Sequence, residues 1–209
     1  MNHAIFARLY PCLSQVIDQG GMVGHRRVLL AGLAGEVIEI GSGDGKNFPH
    51  YAPSVTRVRA VEPEPWLRHL ARAAAGKAQI PIDVTDGRAE RLPAPDASLD
   101  AAVFAFTLCT IADPDAALRE AFRVLRPGGQ VRFLEHVRAG TPGLARVQRL
   151  ADATLWPILF GGCHLGRDSA AAIEQAGFTI DRIDRFLFPQ ARTPVSFHIR
   201  GTARRPAEG

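Results

Sequence analysis

The sequence predicts an α/β fold in which a mostly parallel sheet carries helices on both faces. Short apolar runs alternate with longer amphipathic stretches along the chain, the pattern of strands linked by crossover helices. At 209 residues, 46% hydrophobic and 22% charged, the chain suits one domain with a sizeable core. The first strand-like run also passes directly into a glycine-rich loop, as strands do at the ligand crevice of open α/β sheets.

Residues 1–35 read as an N-terminal helical extension of one or two helices, and 36–209 as the α/β domain. In the extension Ile5, Phe6, Leu9, Tyr10, Leu13 and Ile17 recur at helical spacing. The expected strands are Glu36–Ile40, Arg57–Val61, Ile80–Val84, Leu99–Phe104, Gln130–His136, Thr179–Phe186 and Val195–Thr202. Helices are expected at Pro65–Gly76, Pro114–Leu125, Leu144–Leu159 and Arg167–Ala176. Asp113 before Pro114 is a capping residue followed by a first-turn proline. The run Leu125-Arg126-Pro127-Gly128-Gly129 stops a helix and turns into the next strand.

The net charge of +4 hints at an anionic partner, but the basic residues are almost all arginines spread along the chain, Lys46 and Lys77 being the lysines. No basic block stands out, so nucleic acid is not expected as a partner. Cys12, Cys109 and Cys163 are odd in number and far apart, which suits a reduced, cytoplasmic setting. The N-terminus lacks the layout of a secretory signal, and no apolar run approaches the ~20 residues of a membrane span. At most peripheral membrane contact is expected, and the oligomeric state is not legible.

The strongest local signal is Val37-Ile38-Glu39-Ile40-Gly41-Ser42-Gly43-Asp44-Gly45. A glycine triplet alone is also compatible with a tight turn that binds nothing. Glu62 adds weight: it ends the second strand, 62 − 41 = 21 residues after the first glycine, near the ~20 expected of a carboxylate that holds ribose hydroxyls. Dinucleotide loops want a third glycine where this chain has Lys46. Glu39, just before the loop, would repel a pyrophosphate and attract an ammonium.

These residues carry a resemblance. VIEIGSGDGKNF resembles the first motif of class I S-adenosylmethionine-dependent methyltransferases, and VEPEP the second. The stretch Asp86-Gly87-Arg88-Ala89-Glu90-Arg91-Leu92-Pro93, then Ser98-Leu99-Asp100, then RVLRPGG follow in the family's order. The resemblance implies a Rossmann-like seven-stranded sheet with the last strand antiparallel. It implies S-adenosyl-L-methionine as cofactor. Gly41, Ser42 and Gly43 would lie along its carboxypropyl chain, with Glu39 and Asn47 near its amino group. Glu62 would take the ribose hydroxyls, Pro63 would lie beside the adenine, and Ala89 and Glu90 would flank the adenine edge. Phe104, Ala105 and Phe106 would approach the sulfonium. Arg88 departs from the aspartate that many relatives carry there.

The last third, with FLEHV, Trp156, GGCHL and Arg167-Asp168-Ser169, resembles a methyltransferase-like group that includes alkyl thiol methyltransferases and bacterial quinone and phospholipid relatives. It implies a small, lipophilic acceptor, a thiol first, with an amine, a phospholipid headgroup or a quinone as alternatives. A cofactor-binding protein without transferase activity is the alternative of another class. A thiol of pKa near ~8.5 is partly ionised at neutral pH, and a histidine could assist its deprotonation. His136 is the first catalytic candidate and His164 the second. Phe6, Tyr10 and Trp156 are expected to line the acceptor pocket. No metal is expected, because His136, His164 and Cys163 lack tight ligand spacing.

Overall fold

The computed structural model describes residues 4–207. Its sheet has seven strands: β1 Gly35–Ile40, β2 Val55–Val61, β3 Ile82–Thr85, β4 Leu99–Ala105, β5 Leu125–His136, β6 Thr179–Leu187 and β7 Phe197–Arg204. They lie in the order β3-β2-β1-β4-β5-β7-β6. All pairings from β3 to β5 are parallel, while β7 runs antiparallel to both β5 and β6. The chain reverses its direction of progress across the sheet between β1 and β4, and their carboxyl ends open a crevice there.

The helices are α1 Ala4–Ile17, α2 Val23–Leu30, α3 Pro65–Ala75, α4 Pro114–Val124, α5 Pro142–Asp152, α6 Trp156–Leu159 and α7 Ser169–Gln175. One buried cluster, with Ile38, Phe104, Leu118 and Ile173, packs α4 and α7 onto one sheet face. A second, with Leu29, Val58, Ala71 and Val103, packs α2 and α3 onto the other. Caps fix where several helices start. Asp113 accepts from the Ala116 N–H at 2.8 Å, and Glu64 from the Leu67 N–H at 2.7 Å.

Several expected spans shift, and the fifth strand begins at Leu125 rather than Gln130, so the expected turn at 125–129 lies within the strand. The third strand begins at Ile82, after Pro81, whose ring has no N–H for a ladder. The final strand runs Phe197–Arg204, two residues later than expected, after Pro194. The helix expected at Leu144–Leu159 is two helices. A proline at 157 inside one continuous helix would clash with the carbonyl of residue 153, so it occupies the first turn of a new helix. No helix among the described residues is long and apolar enough to cross a membrane.

Candidate active site

At the carboxyl end of the sheet, the two turns singled out in the sequence meet. The Gly43 N–H donates to Glu62 Oε2 at 2.8 Å, and the Glu64 N–H donates to Oε1 at 2.9 Å. The carboxylate is thus pinned across the tips of β1 and β2, 5% exposed, with lone pairs left over for further donors. Burial raises its pKa, and the two backbone N–H groups oppose that. Gly43 has φ +58°, which favours glycine, and a Cβ there would come within 3.2 Å of the Tyr10 ring.

A cavity of about 840 Å³ opens over these tips. That is at the upper end of ordinary ligand sites, roughly 300–1,000 Å³, so a cofactor and a small second molecule fit together. Gly41, Gly43, Glu62, Pro63, Ala89, Glu90, Ala105 and Phe106 line it. Phe6, Tyr10, Trp156 and His136 line the same space. Phe106 has φ +59°, a costly conformation for a bulky residue, and its N–H donates to the Leu134 carbonyl at 2.7 Å.

Other expected residues lie off the cavity wall. Phe104 is fully buried in the core. Glu39 sits behind the loop, accepting from Asn47 Nδ2 at 2.9 Å and from the Tyr51 hydroxyl at 2.7 Å. Burial pushes its pKa up to about 7, against the pull of those two hydrogen bonds. Asn47 also accepts from Arg26 at 3.0 Å, so both residues belong to a buried polar network under the loop. Ser42 is buried, and its Oγ has no hydrogen-bond partner among the described residues. His164 is not on the wall either; its Nδ1 lies 2.7 Å from the Gly162 carbonyl and 3.3 Å from Arg167.

Of the wall residues that were not anticipated as part of the site, two carry groups that bear on its chemistry. Arg26 is 4% exposed, ion-paired with Asp18 at 2.9 Å, and lines the cavity beside the glycine loop. Cys109 follows β4 by four residues and faces Cys163 and His136. Its sulfur is 4.0 Å from that of Cys163, and His136 Nδ1 lies 3.9 Å and 4.0 Å from the two. Contact with Cys109 and then with His136 lowers the Cys163 pKa, whereas contact with Cys163 and burial raise that of Cys109. Glu135 holds the Cys109 loop in place: Oε1 accepts from the Thr107 and Leu108 N–H groups, and Oε2 from the Cys109 N–H.

The "Methyltransferase domain" family matches residues 38–133. Human "Thiol S-methyltransferase TMT1A" is 32% identical over 178 residues, covering 83% of this chain and 72% of that protein. The chain belongs to the class I S-adenosylmethionine-dependent methyltransferases. This methyltransferase is also 36% identical over 138 residues to "Demethylmenaquinone methyltransferase" of Deinococcus radiodurans, covering 63% of the chain and 57% of that protein. A solved methyltransferase of Thermotoga maritima, described as a possible histamine N-methyltransferase, has the same fold at TM-score 0.73 and 22% identity, covering 98% of this chain and all of that one.

The residues present suit the cofactor that this family uses. A buried carboxylate with spare lone pairs suits a ribose diol, and the Arg26 guanidinium suits a carboxylate. Ser42 Oγ and Asp44 Oδ1, both buried and without a hydrogen-bond partner among the described residues, are polar atoms that a bound group or water would satisfy.

Proposed function

We propose that this enzyme transfers a methyl group from S-adenosyl-L-methionine to a small, lipophilic acceptor, a thiol first. One observation supports it most. The cavity that contains Glu62 and the glycine loop is continuous with an apolar chamber walled by Phe6, Tyr10, Trp156 and Phe160, with Cys109 and His136 at its side. Among the described lining residues the carboxylates are Glu62, Glu64 and Glu90, all on the segments expected to hold the cofactor. The chamber therefore offers a cationic amine no carboxylate partner, which favours the thiol over an amine or a phospholipid headgroup.

When bound, the cofactor supplies an electrophilic methyl on a sulfonium. The chain's own part is alignment and exclusion of water, worth up to ~7–11 kcal/mol of barrier. Glu62 would hold the ribose, Arg26 the carboxylate, and Pro63 and Ala89 the adenine. Phe6 and Tyr10 from α1 and Trp156 from α6 would seat the acceptor and keep water out. His136 lines the same cavity, beside Cys109 and Cys163.

Incubation with labelled methyl donor and a panel of alkyl thiols, amines and quinols tests the reading. Methylation of thiols in preference to the others is expected. Transfer to amines or quinols alone would replace the acceptor, and tight cofactor binding with no transfer to any of them would leave a binding protein. Arg26→Met should weaken binding of the intact donor more than of its decarboxylated form; equal losses would remove Arg26 from the carboxylate.

A further inference from the structure

Cys109, His136 and Cys163 come from three separate segments: the loop after β4, the end of β5 and the loop after α6. Their donor atoms lie within 4.8 Å of one another. The separations are 3.9–4.0 Å between Nδ1 and each sulfur and 4.0 Å between the sulfurs. Zinc bonds of about 2.3 Å to sulfur and about 2.0–2.1 Å to nitrogen put tetrahedral donors roughly 3.5–3.8 Å apart. The set therefore closes on an ion with movements of a few tenths of an ångström.

We propose that these three residues form a zinc site whose fourth position faces the acceptor cavity. Two thiolates neutralise the charge of Zn²⁺, and thiolate with imidazole is a donor set that zinc favours. All three residues line the cavity, so the side of the cluster that lacks a protein ligand opens where the acceptor is expected. Three protein ligands and an open position are the layout of catalytic rather than structural zinc. The supports are also in place. Glu135 fixes the backbone of the Cys109 loop through three N–H groups, and the His164 N–H donates to the Cys109 carbonyl at 2.7 Å. Held this way, Cys109 loses little freedom on binding an ion.

A consequence follows that rests on the thiol reading above. An acceptor R–SH taking the fourth position releases its proton to solvent and presents a thiolate, because a coordinating thiol is deprotonated. Its lone pair forms the new S–CH₃ bond as the C–S bond of the sulfonium breaks, the electrons of that bond returning to the donor sulfur. The thioether product, uncharged and a weak ligand, then leaves. His136 in this arrangement is a ligand and not a base.

The test uses the full-length protein, purified under reducing conditions without chelator and assayed for metal, then stripped and titrated anaerobically with Co²⁺. About one zinc per chain, and thiolate-to-cobalt charge-transfer bands with tetrahedral d–d bands that saturate at one Co²⁺, are expected. Cys109→Ser and Cys163→Ser should lose the bands while still binding S-adenosylhomocysteine. Cys12→Ser, at an exposed position, should keep them. Absence of both zinc and cobalt bands in the folded wild-type protein would overturn the site, whatever the variants do. So would a count of two missing thiols without metal, the mark of a Cys109–Cys163 disulfide. Addition of an alkyl thiol should shift the d–d bands. Metal bound without that shift would leave the site standing and sink the thiolate role.

Discussion

Glu62 spends both carboxylate oxygens on the backbone of two different loops, Gly43 on one side and Glu64 on the other. Its replacement therefore removes a strut and, on the proposed reading, a ribose acceptor at once. Glu62→Ala should weaken cofactor binding by roughly 1.5–3 kcal/mol, measured calorimetrically, with the fold retained. Unchanged affinity would detach it from the ribose. Glu39 makes a different prediction. Its folded pKa of about 7 stands above its ordinary 4.5, so the fold prefers the protonated acid. Between these values the unfolded chain ionises first, and the stability from this group is lost as pH rises across that window. Glu39→Gln, neutral throughout, should flatten the dependence, melting higher relative to the parent protein at pH 8 than at pH 5. Parallel melting curves across that range would mean that Glu39 ionises freely. Glu62 was legible because a strand tip and a 21-residue spacing announce it. Arg26 and Cys109 were not, because nothing local marks them. Arg26 reaches the loop only when the N-terminal segment folds back, and Cys109 gains meaning from a cysteine 54 residues away.

Among the elements, α1 and the α6 turn depend on one another. Gly161 has φ +63°, and a Cβ there would fall 2.4 Å from the Phe6 ring. Gly161→Ala should strain the turn and push α1 outward, costing about 1–3 kcal/mol of stability. Because both segments wall the proposed acceptor chamber, the acceptor KM should rise severalfold while cofactor affinity moves less. An equal loss of both would place α1 over the cofactor instead. The strands and most helix starts were legible from alternation of apolar runs and from capping residues such as Asp113. The break between α5 and α6 was misread because its apolar periodicity continues across the gap. Pro157 held the signal, and reading it required weighing backbone sterics above side-chain pattern.

Across the molecule, the mostly parallel sheet and the site at its carboxyl edge follow from patterns that sequence displays well: runs of β-branched residues and glycines at the strand tips. What gathers residues from distant segments into one chamber is tertiary packing, which sequence displays poorly. β7 lies between β5 and β6, so β6 touches the sheet only through a strand that comes later in the chain. A chain cut before Ser196 should leave the β5 edge and the apolar side chains of β6 uncovered, and should aggregate or bind a hydrophobic dye. A soluble monomeric fragment with native circular dichroism would contradict this.

The same arrangement sets a schedule for synthesis. On the ribosome, β1 to β5 can pair as they emerge, but β6 must wait, unattached, for the segment behind it. His198 on that segment lines the cavity, so the pocket gains its last wall only when β7 has been made. A nascent chain would then acquire its ligand-binding competence late and abruptly, in one closing event at the tunnel exit.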